Sequence, residues 1–297
     1  MLPTNGKMAA PRSRTVPMPP RRRTSADTPP HTPPFLKWPG GKRWFVAQHL
    51  DVFPQTYNRY IEAFTGSASV FFALRPSSAI LCDSNEELIA TYRAVKSRSG
   101  MVVEALTKHA EKHSDAYYYE VRNETPKGAV ARAARLIYLN RTCFNGIYRV
   151  NRKGQFNVPR GSKNTVFMES DDFASIASAL RKAQLIAGDF SIAIDQAMSG
   201  DLVFADPPYT VRHNNNGFLH YNENIFSWSD QIRLADCLAQ AMSRGAFVIS
   251  TNANHESVRE LYKERGFTFR TTSRFSAISG TGKDRGQYEE LIITSPL

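Results

Sequence analysis

Asp201-Leu202-Val203-Phe204-Ala205-Asp206-Pro207-Pro208-Tyr209 is an apolar run that ends in an acid, two rigid rings and an aromatic. An uninterrupted apolar run bounded by turn-forming residues suits a strand buried on both faces, the kind found in parallel sheets covered by helices. The same signal recurs at Tyr60–Ala63, Ala79–Cys82, Ala183–Ala187 and Phe247–Thr251, with helical patterns between. Such alternation predicts an α/β fold, a mostly parallel sheet flanked by helices. The last part of the chain reads as an antiparallel hairpin, Thr268–Ala277 against Tyr288–Thr294 across a Gly-rich link. Between the second and third predicted strands lies an insertion, residues 88–181, whose Leu88–Leu106 and Asp115–Leu139 read as helices. The predicted organisation is therefore a tail (1–34), an α/β body (35–87 and 182–297) and an inserted, mainly helical lobe (88–181).

Composition narrows the partners. The 297 residues are 41% hydrophobic, enough for one large core or a core plus a lobe. Lys and Arg number 38 against 27 Asp and Glu, a net charge of +11 that favours a polyanion, nucleic acid first. Cys82, Cys143 and Cys237 share no C-x-x-C spacing, which argues against a disulfide scaffold or a zinc ribbon, and no metal site is expected. No uncharged apolar run is long enough to span a bilayer. A reducing cytoplasm and a monomer in solution are the expected setting. Residues 1–34 hold 9 of the 17 prolines and six Lys or Arg against the single acid Asp27, and read as a disordered, solvated extension. A DNA-tethering arm is the competing reading of that tail.

Three further stretches carry chemistry. In Tyr60-Ile61-Glu62-Ala63-Phe64-Thr65-Gly66-Ser67-Ala68-Ser69 a strand runs into a turn of small residues, where a ligand can approach the backbone at the carboxyl end of the sheet. Asp83 ends the next predicted strand 17 residues after Gly66 and is suited to accept hydrogen bonds from ribose hydroxyls, or to cap the following helix. Phe35-Leu36-Lys37-Trp38-Pro39-Gly40-Gly41-Lys42 joins an aromatic and a cation to a Gly-Gly turn, suited to a carboxylate or a positively charged sulfonium.

Asp206-Pro207-Pro208-Tyr209 suits an exocyclic amino group as substrate. The lone pair of such a nitrogen is delocalised into its ring. A carboxylate and a main-chain carbonyl that accept its two hydrogens localise that pair toward a methyl donor. The prolines hold the acceptors rigid, and Tyr209 can stack on a base removed from its duplex. Inside the lobe, residues 139–161 interleave Arg141, Arg149, Arg152, Lys153 and Arg160 with Phe144, Tyr148 and Phe156 around glycine turns. Arginine reads guanine edges, asparagine reads adenine and aromatics wedge between base steps, although a solvated basic hairpin has the same composition.

In order and content these elements resemble the Dam-type family of adenine-N6 DNA methyltransferases. The resemblance runs from Phe35 to about Thr294. It rests on residues 35–42, 62–71, 83–85, 139–141, 144–146, 155–161 and 206–209, and on Arg285-Gly-Gln-Tyr-Glu-Glu-Leu-Ile-Ile293. It implies a methyltransferase body that uses S-adenosylmethionine, held by Trp38, Lys42, Phe64, Gly66, Asp83 and Asp206. It implies that Asp206, Pro207, Pro208 and Tyr209 receive a flipped adenine in duplex DNA. It further implies that Arg141, Phe144, Asn145, Ile147, Arg149 and Pro159 contact DNA, in a GATC-like site, and that residues 218–226 close over the site. DNA binding would associate the enzyme with the nucleoid. Ala68 stands where the family usually has a second glycine, and Phe144 where a tyrosine is common. Methylation of cytosine N4, and a non-catalytic DNA-binding relative, are the alternative readings. The lack of a Pro-Cys pair speaks against cytosine carbon-5 methylation, which needs a thiolate.

Overall fold

The apolar runs pair into one seven-stranded sheet in a computed structural model that describes residues 32–151, 153–211, 226–275 and 287–296. Its strands are β1 (Tyr60–Glu62), β2 (Ala79–Asp83), β3 (Ala183–Ala187), β4 (Leu202–Ala205), β5 (Phe247–Ala253), β6 (Thr268–Phe275) and β7 (Gln287–Thr294). The spatial order is β3-β2-β1-β4-β5-β7-β6, with β7 alone antiparallel to its neighbours β5 and β6. This is the mostly parallel sheet with a C-terminal antiparallel pair that the sequence predicts. Ala277 and the Gly-rich link lie outside the described residues, as do residues 1–31 and 218–225.

Both faces of the central strands are covered, which is why β2 and β4 read as continuous apolar runs instead of alternating with polar residues. Tyr60, Leu81, Leu202 and Phe204 point into one apolar cluster. Ile61, Ile80, Cys82, Val203 and Ala205 point into a second one on the opposite face. Burying a side chain such as Phe204, 1% exposed, contributes roughly 1.5–3 kcal/mol.

The first face packs against helices α1 (Arg43–His49), α2 (Ser69–Leu74), α3 (Glu86–Glu111), α4 (Asp115–Asn123), α5 (Ala129–Thr142) and α6 (Phe173–Leu180). The second packs against α7 (Phe190–Ile194), α8 (Trp228–Ser243) and α9 (Glu256–Lys263). Residues read as an inserted lobe thus share one apolar cluster with the sheet: Tyr92 of α3 and Ile137 of α5 belong to the same core as Leu81. Thr32 and Pro34, grouped with the tail by composition, are buried in this body, and Pro34 O accepts a 2.6 Å hydrogen bond from Arg43 Nη2.

Local signals set the helix ends. Asn85 Oδ1 accepts from Leu88 N at 3.0 Å to start α3, and Glu86 and Glu87 in its first turn suit the helix dipole. Ser227 and Asp230 form a reciprocal capping box at α8. The continuous helical pattern expected over Asp115–Leu139 is interrupted after Asn123. Pro126 disfavours helix in the residue before it, and Gly128 at φ +93° takes a conformation that helices exclude.

Candidate active site

Strand register assembles the site. Glu62 pairs with Leu81 on one side and with Phe204 on the other. Continued by two residues, that register brings Phe64, Asp83 and Asp206 level at the carboxyl edge of β1, β2 and β4. Asp83 and Asp206 then flank Phe64 on strands two apart, a separation of about 10 Å. The chain runs from β1 outward to β3 and then returns to β4, so this edge is the point where strand order reverses and open α/β sheets bind ligands.

Asp206 is held from two sides. Its Oδ1 lies 2.8 Å from the ammonium of Lys42, which precedes α1 and is 5% exposed. The same oxygen accepts a 2.6 Å hydrogen bond from Thr251 Oγ1 on β5. Lys42 Nζ also donates to Gly40 O at 3.2 Å, lies 3.8 Å from Glu290 Oε2 and sits 5.1 Å from the Tyr209 ring centroid. Tyr209 in turn donates its hydroxyl to Glu290 Oε2 at 2.7 Å. Burial and the neighbouring Asp206 and Glu290 carboxylates push the Tyr209 phenol well above its ordinary range, which keeps it a donor. Pro207 is buried and fixes the turn between the acid and the aromatic. At the same edge Thr210 Oγ1 donates to Phe226 O at 2.6 Å.

On the other side of β1, Asp83 spans two backbone donors: Oδ2 accepts from Gly66 N and Oδ1 from Asn85 N, both at 2.9 Å. Desolvation raises the Asp83 carboxyl above its ordinary range despite those bonds. Gly66 has φ +44°, and a Cβ there would meet Trp38 Cδ1 at 2.8 Å. The position therefore requires glycine on two counts. Trp38 itself stacks on Tyr148, ring centroids 5.0 Å apart. Phe64 packs its ring between Phe190 and Phe226, with centroids at 5.5 and 5.6 Å.

The basic segment forms a hairpin held by bridges between Cys143 and Arg160 and between Val150 and Phe156. Phe144, beside the Cys143–Arg160 bridge at the hairpin's base, is 51% exposed although it is apolar. Asn145 beside it is exposed at φ +54°, a left-handed conformation that asparagine tolerates. Arg149 and Pro159 are exposed as well, and Ile147 is half-buried. Asn157 steadies Arg149 by accepting from its Nε at 2.9 Å.

Arg141 departs from the expectation of a DNA contact. It is 1% exposed, its guanidinium makes a bidentate pair with Asp171 at 2.6 and 2.8 Å, and it donates to the carbonyls of Phe35 and Val166. Every donor direction of its fork points into the protein, so Arg141 fastens residue 35 and residues 166–171 to α5 and offers DNA nothing.

Three residues at this edge went unassigned in the sequence reading. Thr251 ends an apolar run and Glu290 lies on the second strand of the C-terminal hairpin, within residues 285–293; their own neighbourhoods give neither a role, since their partners are 45 and 81 residues away. Glu62 ends β1 and is 3% exposed, with Oε2 lacking a hydrogen-bond partner. Burial, reinforced by the Asp206 and Asp83 charges, pushes its carboxyl well above the usual range. An acid closing an otherwise apolar strand was its visible signal. A cavity of about 140 Å³ between α3 and α5, lined by Glu87, Thr91 and Arg132 among others, lies apart from this edge and brings together none of its acids.

A mostly parallel seven-stranded sheet of this order, flanked by helices and closed by a C-terminal antiparallel pair, is the methyltransferase fold. The chain belongs to the D12 class N6 adenine-specific DNA methyltransferases, whose family model matches residues 38–278. It is accordingly an adenine-specific DNA methyltransferase, with DNA as its substrate. It is 37% identical over 271 residues to the type II methyltransferase M1.LlaDCHI of Lactococcus lactis subsp. cremoris, covering 88% of this chain and 95% of that protein. It is 32% identical to the type II methyltransferase M.MjaIII of Methanocaldococcus jannaschii, covering 88% and 98%. The DNA adenine methylase of Vibrio cholerae is 29% identical over 87% of this chain and 94% of its own length. Among the described residues no helix is long and apolar enough to cross a membrane, and no group of three or more His, Cys, Asp or Glu is arranged to hold a metal ion.

Proposed function

We propose that the enzyme transfers a methyl group from S-adenosylmethionine to N6 of an adenine flipped out of duplex DNA, within a GATC-like sequence. The observation that carries this reading is the shared level of Asp83 and Asp206 on either side of Phe64, with the Gly66 turn between the two acids.

The residues on the Asp83 side fit the cofactor. Asp83 keeps lone pairs beyond its two backbone bonds and would accept from ribose hydroxyls. The Gly66 turn, closed above by Trp38, is a cradle from which a side chain is excluded. The unpartnered Oε2 of Glu62 and the ammonium of Lys42 supply one acid and one cation for the zwitterionic end. When bound, S-adenosylmethionine supplies an electrophilic methyl group on a positively charged sulfur.

On the other side, Asp206 acts as the acceptor for the adenine amino group. Thr251 and Lys42 occupy Oδ1 and fix the carboxylate, which leaves Oδ2 as the acceptor for the substrate. Asp206 and the carbonyl of Pro207 take the two amino hydrogens and turn the nitrogen lone pair out of conjugation. Tyr209 stacks on the purine, held edge-on by Glu290. The N–C bond would form as the sulfur–methyl bond breaks to leave a neutral thioether, and Asp206 would stabilise the positive charge gained by nitrogen before its proton leaves to solvent. In the hairpin, exposed Phe144 fills the gap left in the base stack, while Arg149, Ile147 and Pro159 read base edges.

Unmethylated plasmid DNA incubated with the purified enzyme and methyl-labelled S-adenosylmethionine, then digested to nucleosides, tests the proposal. Labelled N6-methyladenine is expected, and mapping the modified positions is expected to return GATC. Label in N4-methylcytosine would move the assignment to the other exocyclic amine. Absence of label with DNA binding intact would favour a non-catalytic relative.

A further inference from the structure

We propose that Glu290 is a positioning residue for methyl transfer, acting through Tyr209 and Lys42 on Asp206; the proposal rests on the reading of Asp206 as the amino acceptor. Glu290 is 4% exposed on β7, a strand that belongs to neither the Asp206 turn nor the Gly66 turn. Its antiparallel register opposite Ala253 carries the carboxylate to the edge where β4 ends.

There it closes a circuit. Oε2 accepts from the Tyr209 hydroxyl at 2.7 Å and lies 3.8 Å from Lys42 Nζ. That ammonium is 2.8 Å from Asp206 Oδ1 and 5.1 Å from the centre of the Tyr209 ring. One buried cation thus serves two carboxylates, and the second carboxylate also anchors the stacking aromatic. In such a cluster each charge depends on the others for solvation that water no longer provides. Glu290 offers Lys42 a second, more distant carboxylate, 3.8 Å against 2.8 Å, so the charge of the ammonium is not spent on Asp206 alone and Asp206 keeps acceptor strength for a substrate. The same carboxylate fixes the plane of Tyr209 against which a purine must lie. Removing Glu290 takes this acceptor from the Tyr209 hydroxyl and leaves Asp206 as the nearer carboxylate beside the ammonium. A misplacement of about 1 Å at a reacting centre costs on the order of a hundredfold in rate.

Single-turnover methylation by the full-length enzyme tests this, with variants Glu290→Gln, Glu290→Ala, Tyr209→Phe, Glu290→Ala combined with Tyr209→Phe, and Asp206→Ala. Glu290→Ala is expected to lower kcat by roughly ten- to a hundredfold while KM for DNA and for S-adenosylmethionine changes less than about threefold. Glu290→Gln keeps an acceptor for Tyr209 and is expected to recover part of the rate. The combined variant is expected to be no slower than the slower single variant, because both changes break one circuit. Unchanged kcat in Glu290→Ala, a loss confined to KM, or fully additive losses would overturn the proposal. Should Glu290→Ala not fold, the kcat-against-KM split in Glu290→Gln decides: a kcat loss supports the circuit and none overturns it. Normal turnover in Asp206→Ala would remove the underlying reading, and the proposal with it. A dead Asp206→Ala beside a fully active Glu290→Ala would overturn the role of Glu290 alone.

Discussion

The indole of Trp38 lies stacked on the ring of Tyr148, centroids 5.0 Å apart and planes inclined by 22°. Trp38 closes the glycine turn at Gly66, and Tyr148 stands between Ile147 and Arg149 in the basic hairpin. The Tyr148 hydroxyl donates to Glu87 at 2.9 Å, four residues past Asp83. One side chain therefore touches the wall of the proposed cofactor site and the segment proposed to read DNA. Tyr148→Ala is expected to weaken S-adenosylmethionine and DNA together, each by a few-fold, since an aromatic pair contributes about 0.5–1.5 kcal/mol beyond its burial. Tyr148→Phe, which keeps the stack, is expected to lose less. Separate calorimetric titrations measure both affinities, and a change in only one of them refutes the link.

Arg141 and Arg149 sit eight residues apart and are expected to fail in different ways. Arg141 is a buried, bidentate partner of Asp171, so Arg141→Ala strands a carboxylate in the interior and is expected to cost about 3–5 kcal/mol of stability. Arg149 is exposed, and its Nε donates to Asn157 Oδ1 at 2.9 Å. Arg149→Ala is expected to leave the melting temperature unchanged and to relax discrimination at one base pair by about 1–3 kcal/mol. Thermal melts, combined with methylation rates on single-base-pair variants of the site, distinguish the two. Uniform loss of binding on all sequences would reassign Arg149 to a phosphate.

Ala68 holds the place of the family's second glycine at φ +54°, left-handed for a residue with a Cβ. Its methyl group is 0% exposed and belongs to the apolar cluster beneath the sheet. Left-handed strain of about 1–2 kcal/mol is offset by burial of one methyl, worth about 0.8 kcal/mol, and by the stiffer unfolded chain. Ala68→Gly is therefore expected to lie within about 1 kcal/mol of neutral. Ala68→Val, branched at a left-handed position, is expected to lose about 2 kcal/mol or more. Denaturant unfolding measures both, and a large gain on Ala68→Gly would mean that the buried methyl contributes little.

His109 and His113 bond Tyr117 and Tyr138, and burial is the main cause that lowers both imidazoles below the ordinary value of 6.5. In the folded state they resist protonation. As pH falls through 6.5 the unfolded chain takes up protons that the folded chain refuses, so their contribution to stability shrinks toward acid. His49 behaves alike, whereas Glu62, raised well above 4.5, gains stabilising weight as pH falls. Comparison with variants isolates the histidines. The drop in melting temperature from pH 7.5 to 5.5 is expected to be smaller by about a few degrees in a His109→Gln, His113→Gln double variant than in the parent. An equal drop in both would show that these imidazoles do not set the slope.

The parallel strands were legible because each had to be apolar on both sides, a demand the residues meet without reference to anything distant. Ala183–Ala187 and Leu202–Ala205 fall where they were read, and Tyr60–Glu62 within one residue. The break between α4 and α5 was written in Pro126 and Gly128 but was outweighed by the apolar periodicity on either side.

Asp83, Gly66 and Asp206 could be singled out from the sequence, since each ends a strand or forms a turn, and local chemistry restricts what such a position accepts. What the chain alone determined is therefore the set of strands and the acids at their tips. Only the tertiary structure decided which arginine faces inward, that Asp171 lies opposite Arg141, that Lys42 and Thr251 meet on the Asp206 carboxylate, and that Glu290 meets Lys42 and Tyr209 beside it. Those outcomes depend on pairs up to 248 positions apart, Lys42 with Glu290 being the widest, and on desolvation that exists only after the sheet has closed.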